Sequence, residues 1–133
     1  MSVVVDTQAL LWYVLDSSRL STAAAAKLDR TAEAGTHILV PTICLVEVEY
    51  LRDKRVIADD WYDRLQAALG DPEFAWKAIP LDLNVVASIP RIPRAVVPDM
   101  PDRIVAATAL ALRLPLVSSD RKIRQVEGLN VIW

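Results

Sequence analysis

Apolar residues fall along this chain in two alternating rhythms. Short stretches with apolar, partly β-branched centres lie at residues 3–5, 37–40, 77–80, 114–118 and 130–133, and predict buried strands. Between them, residues 7–15, 22–34, 41–54 and 59–69 repeat their apolar positions at helical spacing. The stretch 98–112 is the most apolar helical segment, with a helix starting near Asp102 behind Pro101. Ser21 and Asp59 suit N-caps, and Gly35 and Gly70 suit helix ends. Residues 83–89 predict one or two helical turns, 90–101 a stiff proline-rich loop, and 121–126 a short helix. Strands alternating with helices throughout imply a central parallel sheet of four to five short strands, covered on both faces as a three-layer α/β/α fold.

Composition narrows the chemistry. At 133 residues and 53% hydrophobic content, the chain suits a single domain over 1–133 with a sizeable core. No apolar run approaches a membrane span and the start lacks a basic leader flank, so a cytoplasmic protein without a membrane partner is expected. Cys44, among apolar neighbours, reads as a core residue, and with His37 as the one histidine neither a zinc cluster nor a serine triad is supported. None of the three glycines stands in a phosphate-cradling motif, and a net charge of −2 argues against a broad basic nucleic-acid-coating face. Chemistry then falls to carboxylates.

Four of them are placed for it. Asp6 follows the first strand, Asp120 follows the fourth after Ser118 and Ser119, and Asp102 opens the helix feeding that strand, so all three face the C-terminal edge of the sheet. Each taken alone is equally a helix cap. Glu47 has Ile43, Val46, Tyr50 and Leu51 at its helical neighbour positions and reads as lying on an apolar face; Glu49, about 200° away, has Arg52 and Asp53 and reads as solvated. Four convergent carboxylates repel one another, and their simplest partner is a hard divalent cation, Mg²⁺ or Mn²⁺.

Asp6 in VVVDTQALLW, Glu47 in PTICLVEVEYL, Asp102 in PDMPDRIVAATAL and Asp120 in LVSSDRKI together resemble the spaced acidic motifs of the PIN-domain family, in particular its VapC-like toxins. The resemblance covers nearly the whole chain. It implies a PIN-like fold and a Mg²⁺-dependent ribonuclease with the four acids around the metal. It also implies the toxin role in a toxin–antitoxin pair, with RNA as substrate, a cognate antitoxin as partner and a homodimer as assembly. Hydrolysis would then use a metal-activated water, with a carboxylate orienting it or taking its proton. Asp99 matches an additional acid of many relatives, and Ser118 and Ser119 resemble the hydroxyl residues beside the last acid. Arg103 and Arg121 read either as phosphate contacts or as local salt bridges, and Arg91, Arg94, Lys122 and Arg124 as residues that steer RNA. The four tryptophans read as core or interface residues.

Rival readings are a receiver-like Mg²⁺-binding signalling domain, a DxD-type phosphatase, a catalytically silent PIN-like binding module and a structure-specific DNA nuclease. The first needs an acidic pair after strand one, where Val5 precedes Asp6, and a middle acid after a strand, where Glu47 lies within a helix. The second fails at Gln8, which stands where its second aspartate belongs.

Overall fold

In the computed structural model, which describes residues 1–133, the strand β1 (Val3–Val5) is covered on both faces: consecutive side chains point opposite ways, yet none is more than 1% exposed. It forms the centre of a five-stranded parallel sheet with β2 (Ile38–Pro41), β3 (Trp76–Ile79), β4 (Leu116–Val117) and β5 (Val131–Ile132), in the order β3-β2-β1-β4-β5. Val4 is in register with Leu39 on one side and Leu116 on the other. The helices are α1 (Thr7–Val14), α2 (Thr22–Glu33), α3 (Thr42–Asp53), α4 (Asp59–Gly70), α5 (Leu83–Ser88) and α6 (Met100–Leu112), and they make the outer layers of the three-layer α/β/α fold. From β1 the chain builds outward through β2 to β3, then returns to lay β4 on the opposite side of β1. The strand order therefore reverses between β1 and β4, and open sheets present a crevice at such a point.

The departures from the expected boundaries have local causes. Asp99, rather than Asp102, caps α6: its side chain accepts a hydrogen bond from the Asp102 N–H at 3.3 Å, and the helix begins at Met100 with Pro101 in its first turn. The strand expected over 114–118 shrinks to Leu116–Val117 because Arg113 and Leu114 finish the preceding helix. Arg113 takes the left-handed conformation (φ 56°), and the Leu114 N–H bonds back to the Ala109 carbonyl at 3.1 Å. Ala58 occupies the cap position of α4 with no side-chain bond, so Asp59 lies in the first turn, where its charge suits the helix dipole. Residues 121–126 contain one 3₁₀ turn, Ile123–Gln125, in place of a short α-helix, and a second such turn, Ile89–Arg91, interrupts the proline-rich loop.

Arg103 fastens that loop. Its guanidinium donates to the Ile92 carbonyl from Nε (3.2 Å) and Nη2 (2.9 Å), and from Nη2 to the Ile89 carbonyl at 3.3 Å. It is not half of a salt bridge: three of its five N–H donors go to these backbone carbonyls, and Nη1 keeps the other two. Trp61 and Trp76 are buried, while Trp12 and Trp133 pack against each other with ring centroids 5.7 Å apart. No helix is long and apolar enough to cross a membrane.

Candidate functional site

β1 delivers Asp6 to the C-terminal edge of the sheet, where it caps α1. Its Oδ1 accepts from the Ala9 N–H at 2.8 Å and its Oδ2 from the Ser118 hydroxyl at 2.5 Å. Ser118, fully buried at the end of β4, also accepts from the Asp120 N–H at 3.1 Å, so one hydroxyl ties the first acid to the loop of the last. Of the two serines, then, Ser118 orients the carboxylate, whereas Ser119 faces the open cavity. Asp120 is fixed in turn by the N–H groups of Lys122 (2.7 Å) and Ile123 (3.3 Å), which its Oδ1 accepts.

Glu47 accepts a 2.7 Å hydrogen bond from the Thr7 hydroxyl, which links α3 to the start of α1. The side of α3 turned to the core is Cys44 and Val48, and Glu47 stands half-buried at its margin. Its supposed apolar neighbours Val46 and Tyr50 are 48% and 64% exposed, so Glu47 looks onto an open cavity rather than into packed side chains. Glu49 is solvated as expected: it lies 3.8 Å from Arg52 and accepts from the Tyr62 hydroxyl. Asp102, in the first turn of α6, is half-buried and its carboxylate accepts no hydrogen bond.

All four acids line one cavity of about 570 Å³, together with Thr7 and Lys54. Asp99, Arg103 and Arg121 are not among its walls. Cys44 is a core residue whose thiol is pushed up by burial, and His37 is exposed. Thr7, Tyr50 and Lys54 were not singled out by sequence; the signal for the last two is their spacing of three and seven residues from Glu47 on one helix.

Crowding shows in the protonation of the site. Burial pushes the Asp6 carboxyl up to about 6, against the lowering effect of the Ser118 and Ala9 hydrogen bonds and with help from the charges of Asp120 and Glu47. Burial also raises Asp102 to about 7, reinforced by Asp99 and then by Asp120, Glu47 and Asp6. As they stand, no three of these side chains are grouped closely enough to hold a metal ion. Their chemistry nevertheless fits a hard divalent cation: every donor is a carboxylate oxygen, and mutual repulsion is what a cation would relieve.

An acid whose pKa is higher folded than unfolded holds its proton better in the native state. That stabilisation is complete below about pH 4 and is lost as pH rises through the folded values of about 6 and 7. In EDTA, the melting temperature should therefore fall between these limits, and fall less in an Asp102→Asn variant. Parallel pH profiles for the two proteins would contradict this coupling.

The comparisons with known proteins agree with the architecture. A family profile described as PIN domain matches residues 3–129. No curated protein sequence matches the chain. Among solved structures, the chain is similar to VapBC2 of Rickettsia felis bound to a DNA fragment from its promoter, with 15% identity, a TM-score of 0.75, and coverage of 98% of this chain and 97% of that one. A toxin-antitoxin complex from Klebsiella pneumoniae gives 19% identity and a TM-score of 0.69 over 96% and 94% of the two chains. FitAcB from Neisseria gonorrhoeae gives 20% and 0.65 over 97% and 95%.

Proposed function

This chain belongs to the PIN-domain family, and we propose that it is a metal-dependent endoribonuclease acting as the toxin of a VapBC-type toxin–antitoxin pair. The observation that carries the reading is the meeting of Asp6, Glu47, Asp102 and Asp120 around one open cavity at the reversal point of the sheet. Those four residues would hold Mg²⁺ or Mn²⁺, which when bound lowers the pKa of water and offsets charge building on a phosphodiester. The chain's own contribution is orientation. Ser118 and the Ala9 N–H fix both oxygens of Asp6, and Thr7 fixes one oxygen of Glu47. Asp102, with no bond of its own to break, is free to orient the attacking water or take its proton.

With water rather than the ribose 2′-hydroxyl as nucleophile, products should carry 5′-phosphate and 3′-hydroxyl ends. The test is incubation of the purified protein with total RNA and with DNA, in Mg²⁺ or EDTA, followed by end-mapping. Cleavage undiminished in EDTA, or 2′,3′-cyclic phosphate as the main product, would overturn the mechanism; preference for DNA would move the substrate. The toxin–antitoxin neighbours support a protein antitoxin as partner, and an antitoxin that covers the cavity should inhibit cleavage when added to the same assay. A homodimer, read by mass in solution, has support in exposed apolar side chains such as Leu83, Val86 and Met100.

A further inference from the structure

Helix α3 has two polar faces with different fates. On one, Glu49 and Arg52 are engaged in packing: Arg52 pairs with Asp59 at 3.1 Å and lies 4.2 Å over the Tyr62 ring, whose hydroxyl bonds Glu49. On the other, Glu47, Tyr50, Leu51 and Lys54 follow at helical spacing and all line the acidic cavity. Tyr50 is 64% exposed and its hydroxyl has no hydrogen-bond partner; Lys54 takes part in neither ion pair of the fold and is the one basic residue lining the cavity. An unstacked aromatic ring and an unpaired ammonium thus extend in a line from the carboxylates, with Lys54 about 10 Å along the helix axis from Glu47.

Resting on the ribonuclease reading, we propose that this stripe of α3 is the track for a single-stranded stretch of RNA. Tyr50 stacks on a base flanking the scissile bond, and Lys54 takes a phosphate further along the strand. A ring presented singly beside a cation suits a splayed base and its backbone. Bases in a duplex are already stacked and offer no free face, so single strands are preferred. The stripe also supplies attraction at the rim of a cavity whose own walls repel phosphate.

Both side chains are exposed, so their variants should fold. Binding of a short labelled RNA is followed by fluorescence anisotropy, with Ca²⁺ in place of Mg²⁺, and the KM for cleavage is measured in Mg²⁺. Tyr50→Ala should weaken binding and raise KM about tenfold with kcat little changed, whereas Tyr50→Phe keeps the parent's affinity. Lys54→Met should lower the slope of log affinity against log salt by about 0.7, the share of one single-strand phosphate contact. The same sequence as duplex RNA should bind more weakly than the single strand. If the parent cleaves RNA but Tyr50→Ala and Lys54→Met match it in affinity and slope, the stripe is wrong and the nuclease reading stands. Equal loss in Tyr50→Phe and Tyr50→Ala would overturn stacking, and a parent that neither binds nor cleaves RNA would overturn both readings.

Discussion

Asp102→Asn is expected to make the metal-free protein harder to melt while lowering RNA cleavage by at least about a hundredfold, a loss comparable to removing one preorganised transition-state contact. The two effects share one cause. Asp102 is pushed up by burial and by four neighbouring carboxylates, and its side chain accepts no hydrogen bond that an amide would forfeit. Neutralising it removes the cost of a half-buried charge and the repulsion from its neighbours, and gives up no hydrogen bond; allowing for its half-exposed position, the gain is on the order of 1 kcal/mol. Asp6→Asn differs, because both Asp6 oxygens are used, by Ala9 and by Ser118, and an amide has one accepting oxygen. There the relief of charge is offset by a broken buried hydrogen bond costing about 1–3 kcal/mol. Thermal melts in EDTA and in Mg²⁺, with one cleavage assay, read both effects. An Asp102→Asn protein that melted earlier than the parent and cleaved at its rate would remove Asp102 from the site.

Arg103→Met should show the opposite profile, with a large loss of stability and cleavage kept by the molecules that fold. Three charge-assisted donations tie the guanidinium to the carbonyls of Ile89 and Ile92, and Ile92 is fully buried. Withdrawing them leaves the Ile92 carbonyl without a donor, while that of Ile89 keeps the Ile92 N–H at 2.9 Å, a cost of about 2–3 kcal/mol. Lysine at 103 should recover only part of this, since its single ammonium cannot reproduce the planar fork. Denaturant midpoints measure the loss. Undiminished stability with cleavage abolished would return Arg103 to the role of a phosphate contact.

These two neighbouring residues illustrate what the sequence made legible and what it did not. The parallel sheet was readable because strands covered on both faces must be apolar throughout, as 3–5 and 38–40 are. Asp6 and Asp120 followed from it, since each trails a strand at the same edge. Around α6 the reading slipped because Pro101 fits either of the first two helical positions, and only the hydrogen bond from the Asp102 N–H to Asp99 decides between them. The backbone partners of Arg103 were not legible because its acceptors lie 11 and 14 residues back, a pairing made by the path of a loop and invisible to local spacing. The environment of Glu47 slipped for another reason. Apolar residues at i−1 and i+3 suggest burial, but hydrophobic character does not fix exposure on a helix bordering a cavity, and Val46 and Tyr50 lie open.

The hydroxyl of Ser118 and the carboxylate of Asp6 are 112 residues apart in sequence, and β1 is flanked on that side by β4 alone. A chain emerging from the ribosome can pair β1 with β2 early, yet it lacks both Ser118 and Asp120 until synthesis has passed residue 120. At roughly 5–20 residues per second, the first acid then waits several seconds without its orienting hydroxyl or its counterpart across the crevice. So distant a closure also slows folding after release, because loop entropy must be lost before the contact forms. The four acids therefore meet around their cavity only once nearly the whole chain is available.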